Sequence, residues 1–204
     1  MSCEATACGY SESPQFSSKE VEEVKASNHE GVPLNTPWTF WIDKTVQNVS
    51  VTEYEANLKK IYTVFTVQEF WAVYNNIPKP SVMQTRYCYH LMRFENRPIW
   101  EEPYNQKGGT WRIKCSKRFS EMVWQELLLA AIGEQMTDVL HKDDQVLGLT
   151  ISVRDGSDII QIWNSDVALA NTVDMEKWVK SLLPEVQFPA IFYKPHQTHQ
   201  AFTM

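Results

Sequence analysis

Residues 146–163 alternate apolar and polar twice, on either side of Asp155-Gly156-Ser157-Asp158. Period-two alternation marks a half-buried strand, and a short connection containing Asp-Gly joins antiparallel neighbours. In the first run Leu147, Leu149, Ile151 and Val153 face one way, and Gly148, Thr150, Ser152 and Arg154 the other. Pairing Arg154 with Ile159 sets Trp163 opposite Thr150, so Arg154 and Trp163 share the polar face. Such a hairpin belongs to an antiparallel sheet with one face covered and the other open.

Five further runs read as strands: residues 38–43, 58–64, 87–93, 110–115 and 186–193. In the fourth, Trp111, Ile113 and Cys115 oppose Thr110, Arg112 and Lys114, giving one apolar and one basic face. Three helices are expected. Thr66-Val67-Gln68-Glu69 is a capping box that opens residues 67–76, which stop before Pro78 and Pro80. Residues 119–135 carry Val123, Leu127, Leu128, Ala131 and Ile132 at helical spacing, and residues 174–183 carry Met175, Val179, Leu182 and Leu183. Trp71, in the middle of the first helix, suits either core or an outer face. The fold class is α+β: a single curved antiparallel sheet with three helices packed on one face.

Residues 1–31 are rich in Ser and Glu and poor in aliphatics, so they are expected to form a disordered tail. Residues 32–204 form one domain, with a loose polar end from Lys194 onward. No apolar run resembles a leader or a membrane span, and the expected setting is the cytosol. Cys3, Cys8, Cys88 and Cys115 lack metal or disulfide spacing and read as free thiols. His90, His141, His196 and His199 lack ligand spacing as well, so neither a metal nor a cofactor is expected. A net charge of −6 argues against broad binding to a phosphate backbone but leaves room for one small basic pocket.

Eight tryptophans are many for 204 residues. One lies in the loop Arg97-Pro98-Ile99-Trp100-Glu101-Glu102, which runs through a second turn, Gly108-Gly109, into the strand holding Trp111. A flat ring beside a carboxylate can stack on a base and accept two hydrogen bonds from its polar edge. The same ring also suits a packed loop. Glu101 and Glu102 are adjacent, point apart and make a poor acid–base pair.

The ordered anchors are Val32-Pro33-Leu34 before Trp38 and Trp41, then Ala56-Asn57-Leu58 and Glu69-Phe70-Trp71-Ala72-Val73-Tyr74. Pro98-Ile99-Trp100-Glu101-Glu102, Gly108-Gly109-Thr110-Trp111, Ile132-Gly133-Glu134, and Val153-Arg154 before Ile162-Trp163 complete them. With these the chain resembles the cap-binding translation initiation factor 4E family over about residues 32–204. Asn57-Leu58-Lys59-Lys60-Ile61-Tyr62-Thr63-Val64 and Phe192-Tyr193-Lys194-Pro195-His196 are most similar to class 3. The resemblance implies a cupped sheet with its helices on the convex back. It also implies binding of the 7-methylguanosine cap of mRNA between two rings on the concave side, without catalysis. Trp100 matches one ring and Tyr54 stands where the other is expected. Glu101 matches the carboxylate that reads guanine, and Trp163 the residue against the methyl group. Arg154 matches a phosphate-binding Arg, but Thr110, Gly156 and Ile159 replace three other family cations. Arg112 and Lys114 are expected to compensate in part.

On the back, Val32, Pro33, Leu34, Trp71, Glu126, Leu129, Ile132 and Gly133 match the surface that takes a helix from a 4G-type scaffold or a 4E-binding protein with a Tyr-x-x-x-x-Leu-apolar motif. Gln125 replaces a usual Leu there. The implied role is translation initiation or its regulation by a monomer. Two rivals stand beside it: an interaction scaffold or repressor with weak cap affinity, and, more distantly, a decapping hydrolase, which would need clustered carboxylates.

Overall fold

The computed structural model describes residues 30–45 and 55–197. Its strands are β1 (Pro33–Lys44), β2 (Lys59–Thr66), β3 (Tyr87–Arg93), β4 (Gly109–Ser116), β5 (Val146–Ser152), β6 (Ser157–Asn164) and β7 (Ala190–Pro195). Helix α1 spans Val67–Asn76, α2 Lys117–Ile132 and α3 Met175–Leu182. The seven strands make one sheet in the order β2-β1-β3-β5-β6-β4-β7, and every pairing is antiparallel.

Strand alternation places the core. Trp38 and Phe40 of β1, Leu91 of β3, Trp111 and Ile113 of β4, Leu149 and Ile151 of β5, and Ile160 and Ile162 of β6 project to one face. There they pack with Phe70 and Tyr74 of α1, Val123, Trp124, Leu127 and Leu128 of α2, and Met175 and Val179 of α3. The three helices thus cover a single side, as the residue pattern requires. The capping box at α1 forms: Glu69 N–H donates to Thr66 Oγ1 at 3.2 Å, and Glu69 Oε2 reaches back to the Phe65 amide at 2.7 Å.

A buried ion pair closes the end of α2. Arg93 is 4% exposed, lies over the Trp38 ring and donates through Nη1 and Nη2 to Glu134 at 2.6 and 2.9 Å. It also donates to Thr36 Oγ1 and the Val146 carbonyl. Glu134 follows Gly133 with φ +55°, so the chain leaves the helix through a left-handed residue that the pair holds in place.

Three expectations need correction. The β5–β6 register is Ser152↔Ile159, Thr150↔Gln161 and Gly148↔Trp163, two residues away from the one expected. The turn lies earlier because the Asp158 carboxylate is buried and accepts the Arg154 amide at 2.9 Å, which draws Asp158 into the strand. A two-residue shift preserves the faces. Leu147 departs from Leu149, because an irregularity between Val146 and Gly148 turns it to the open face. Finally, Lys194 and Pro195 belong to β7 and His196 is buried, so the chain is ordered past the point where looseness was expected.

Candidate functional site

Antiparallel register arranges the open face in rows. One row is Trp41–His90–Thr150–Gln161–Arg112–Phe192, read across β1, β3, β5, β6, β4 and β7. The row on one side is Thr39–Met92–Gly148–Trp163–Thr110–Lys194. On the other side Asp43, Cys88, Ser152, Ile159 and Lys114 follow one another. Over these rows lies a cavity of about 470 Å³ whose rim is Pro98-Ile99-Trp100-Glu101, with Arg112, Arg154, Trp163 and His196 also in its lining.

An apolar nest seats the rim. Trp41, Met92, Leu147 and Trp163 pack together, and Leu58 and the half-buried Trp100 pack against them. Gly148 is required beneath it, because a Cβ there would fall 2.3 Å from Met92 Sδ and 2.8 Å from the Leu91 carbonyl. The loop above is built on Asn105, which is fully buried and donates through Nδ2 to the carbonyls of Arg97 and Ile99. Tyr104 Oη accepts the Arg97 amide at 2.6 Å. The adjacent carboxylates do point apart. Glu102 accepts from Arg97 Nε at 2.8 Å, whereas Glu101 lines the cavity. Arg97 Nη2 also donates to Glu55, and of Arg97's interactions the Glu102 hydrogen bond does most to raise its pKa.

Gly108-Gly109 is no turn of left-handed residues. Gly109 starts β4, and each glycine is dictated by crowding. A Cβ on Gly108 would lie 1.8 Å from the Asn164 carbonyl oxygen, and one on Gly109 would lie 2.4 Å from Tyr193 Oη.

The cavity floor is a buried polar chain. Trp163 Nε1 donates to Thr150 Oγ1 at 2.9 Å, and Thr150 Oγ1 meets His90 Nδ1 at 2.8 Å. His90 Nε2 lies 3.1 Å from Asp43 Oδ1. The Asp43 carboxylate has no proton to give, so His90 Nε2 is the donor in their contact. Trp163 is thereby fixed in the floor by its indole N–H. Burial and then the Asp43 carboxylate push the nearby Cys88 thiol up to about 11, so it stays protonated and inert at neutral pH.

Of the residues picked from the sequence, Trp100, Glu101, Arg112, Arg154 and Trp163 meet around this cavity. Arg112 is half-buried, and burial followed by the neighbouring Arg154 lowers its pKa. Lys114 is exposed on the same strand face, outside the lining. Tyr54 lies outside the described residues. Sequence reasoning missed Asp43, His90 and Thr150, because they meet only across strands, and Arg97 and Asn105, whose partners lie in the fold of the loop.

On the helical side, Val32 is 59% exposed, Pro33 and Gly133 are exposed, and Leu34 and Ile132 are buried. Glu126 and Leu129 are half-buried. The Val32 amide donates to Gln68 Oε1 and its carbonyl accepts the Val67 amide, which pins this strap to the start of α1. Trp71 sits between the two expected environments. It packs on the core, with edge contacts to Phe70 and Tyr74, and keeps part of its surface open. Tyr74 Oη donates to Gln125 Oε1 at 3.3 Å, so the residue in place of a usual Leu joins α1 to α2.

The model of the family described as eukaryotic initiation factor 4E matches residues 33–203. "Eukaryotic translation initiation factor 4E-1" of Citrullus lanatus is 36% identical over 140 residues, 69% of this chain and 58% of that protein. "Eukaryotic translation initiation factor NCBP" of Arabidopsis thaliana is 33% identical over 179 residues, 87% of this chain and 78% of its own length. The match thus spans less than two thirds of the 4E-1 relative. Among solved structures, C. elegans eIF4E-3 in complex with the 4E-binding protein Mextli and cap analog superimposes with a TM-score of 0.72. The two are 26% identical, over 83% of this chain and 95% of that one. Ascaris suum eIF4E-3 with m2,2,7G cap gives a TM-score of 0.69 at 29% identity, over 82% and 93% of the two chains.

Proposed function

Because the chain belongs to the eukaryotic initiation factor 4E family, we propose that its concave cavity binds the 7-methylguanosine cap of mRNA and that it acts in translation initiation or its regulation. The observation that carries this reading is the pair Trp100 and Glu101 on the rim, with Trp163 in the floor of the same cavity. A methylated guanine bears a fixed positive charge. Over an aromatic face such a cation gains about 0.5–2 kcal/mol, and stacking on the ring contributes about 1–3 kcal/mol. Glu101 accepts the guanine N–H donors, each such charge-assisted bond contributing about 1.5–3 kcal/mol. Tyr54 is the second ring, directly before the Glu55 that Arg97 ties to the loop. Arg112 and Arg154 take the phosphates, with Lys114 further out. Binding involves no chemical step.

The convex side takes a partner helix on Trp71, Leu129 and the Val32–Leu34 strap, from a 4G-type scaffold or a 4E-binding protein. The protein acts as a monomer in the cytoplasm. A second reading, a repressor-like scaffold with weak cap affinity, is favoured by one observation: Thr110, Gly156 and Ile159 occupy places of family cations.

Titration with m7GTP and GTP, followed by tryptophan fluorescence, tests the site. The methylated nucleotide should bind at least tenfold tighter, and Trp100→Ala and Glu101→Ala should each weaken it by at least tenfold. Equal binding of the two nucleotides would sink the cap reading. Retention on a cap-analogue resin separates the primary reading from the scaffold. A pull-down with Trp71→Ala, which should lose the partner while keeping the cap, tests the convex side.

A further inference from the structure

The rows of the open face continue past the cavity wall onto β7. Lys194 stands opposite Thr110, and Phe192 opposite Arg112. Directly paired residues of antiparallel strands project to the same side, so both side chains stand on the concave face. Neither lines the cavity, but Pro195 and His196, which follow them, do. The two residues form a shelf beside it. Phe192 is 50% exposed there, a large ring placed next to cations.

Among the described residues, Arg112, Arg154 and Lys194 form no ion pair. They act on one another instead. Besides burial, Arg154 lowers the pKa of Arg112 and Arg112 lowers that of Lys194. In a chain of net charge −6, cations held close enough to repel make a local anion site. An exposed ring set among such cations is the arrangement that holds single-stranded nucleic acid by stacking and phosphate contact.

Resting on the cap reading of the cavity, we propose that this shelf holds the RNA immediately beyond the methylated guanosine. Lys194, across from Thr110, and Arg112 take the bridging phosphates, and Phe192 stacks on the base of the first transcribed nucleotide. The cation absent at Thr110 is supplied from the neighbouring strand.

The test compares m7GTP with the dinucleotide m7GpppA at several salt concentrations, for wild type, Phe192→Ala, Phe192→Tyr and Lys194→Gln. Wild type should favour the dinucleotide by about fivefold, the low end expected of one stacked base. Phe192→Ala should bring that ratio close to one, and Phe192→Tyr should keep it. Lys194→Gln should weaken both ligands and flatten the slope of log K against log salt by about 0.7. A ratio of one in wild type, or one unchanged in Phe192→Ala, overturns the inference while the cap reading stands. Equal loss of both ligands in Phe192→Ala also overturns it, since the ring would then serve the sheet. A dimer that Phe192→Ala converts to monomer assigns the ring to contact between copies instead. Failure of wild type to bind m7GTP overturns the cavity reading and this inference with it.

Discussion

Arg97 reaches across forty-two residues to Glu55, with Nη2 to Oε1 at 2.7 Å. Both side chains are more than a third exposed, so the pair contributes at most about 1 kcal/mol to stability. Its effect is positional. It ties the helical residues 55–57, which follow Tyr54 in the sequence, to the loop bearing Trp100. Arg97→Ala should therefore weaken m7GTP binding about three- to tenfold, on the order of 1 kcal/mol, while the urea midpoint hardly moves. Arg97→Lys should not restore binding, because an ammonium lacks the fork that serves Glu55 and Glu102 together. Equal affinity in wild type and Arg97→Ala would remove Arg97 from the site.

Thr150 is the joint of the cavity floor. Thr150→Val keeps the shape but leaves the Trp163 indole N–H and the His90 ring without their shared partner. The expected loss is about 1–3 kcal/mol of stability, read by urea unfolding, together with weaker m7GTP binding as Trp163 loses its fixed edge. Thr150→Ser should recover both. A Val variant as stable as wild type would show that the chain of hydrogen bonds is dispensable.

Arg93 is buried, and among the described residues Glu134 is its only carboxylate partner. Glu134→Ala should cost about 3 kcal/mol or more, because the guanidinium is left without a counter-charge in a dry site. The predicted readout is a lower urea midpoint with an unchanged slope. A change below about 1 kcal/mol would mean that Thr36 and the Val146 carbonyl suffice for Arg93.

Gly156 has open space around it, with nothing within 4 Å of a Cβ built there. Gly156→Lys should leave stability within about 0.5 kcal/mol and tighten m7GTP binding several-fold, with a steeper salt dependence. Unchanged affinity would show that the phosphates pass elsewhere. Gly108→Ala is the contrasting case: its Cβ would meet the Asn164 carbonyl at 1.8 Å, and that backbone cannot yield without parting β4 from β6. Soluble, cooperatively folding Gly108→Ala protein would contradict this geometry.

What was legible in the sequence follows from how local the determining physics is. The faces of β4 could be read from Trp111, Ile113 and Cys115, because alternation is imposed by the strand itself. The start of α1 could be read from Thr66 and Glu69, because a capping box closes within four residues. Trp100 and Glu101 were legible as a ring and a carboxylate, but which carboxylate faced inward was settled by Arg97 taking Glu102. The floor was not legible: His90 meets Thr150 and Asp43 at separations of 60 and 47 residues. The register of β5 and β6 was misread, because Asp158 looked like a turn residue until its burial was seen. Leu147 broke an otherwise regular alternation through a bulge that nothing in the pattern announces.

The cavity lining runs from Asp43, in the first strand, to His196, just past the last. Neither half of the chain contains the complete binding site, since every wall is completed by sequence-distant strands. Ligand affinity and global folding are therefore linked. A cap analogue held at a hundred times its dissociation constant contributes about 2.7 kcal/mol to the whole sheet, protecting edge and centre alike. Its protective effect on proteolysis should be cooperative across the molecule, and loss of β7 alone should abolish it.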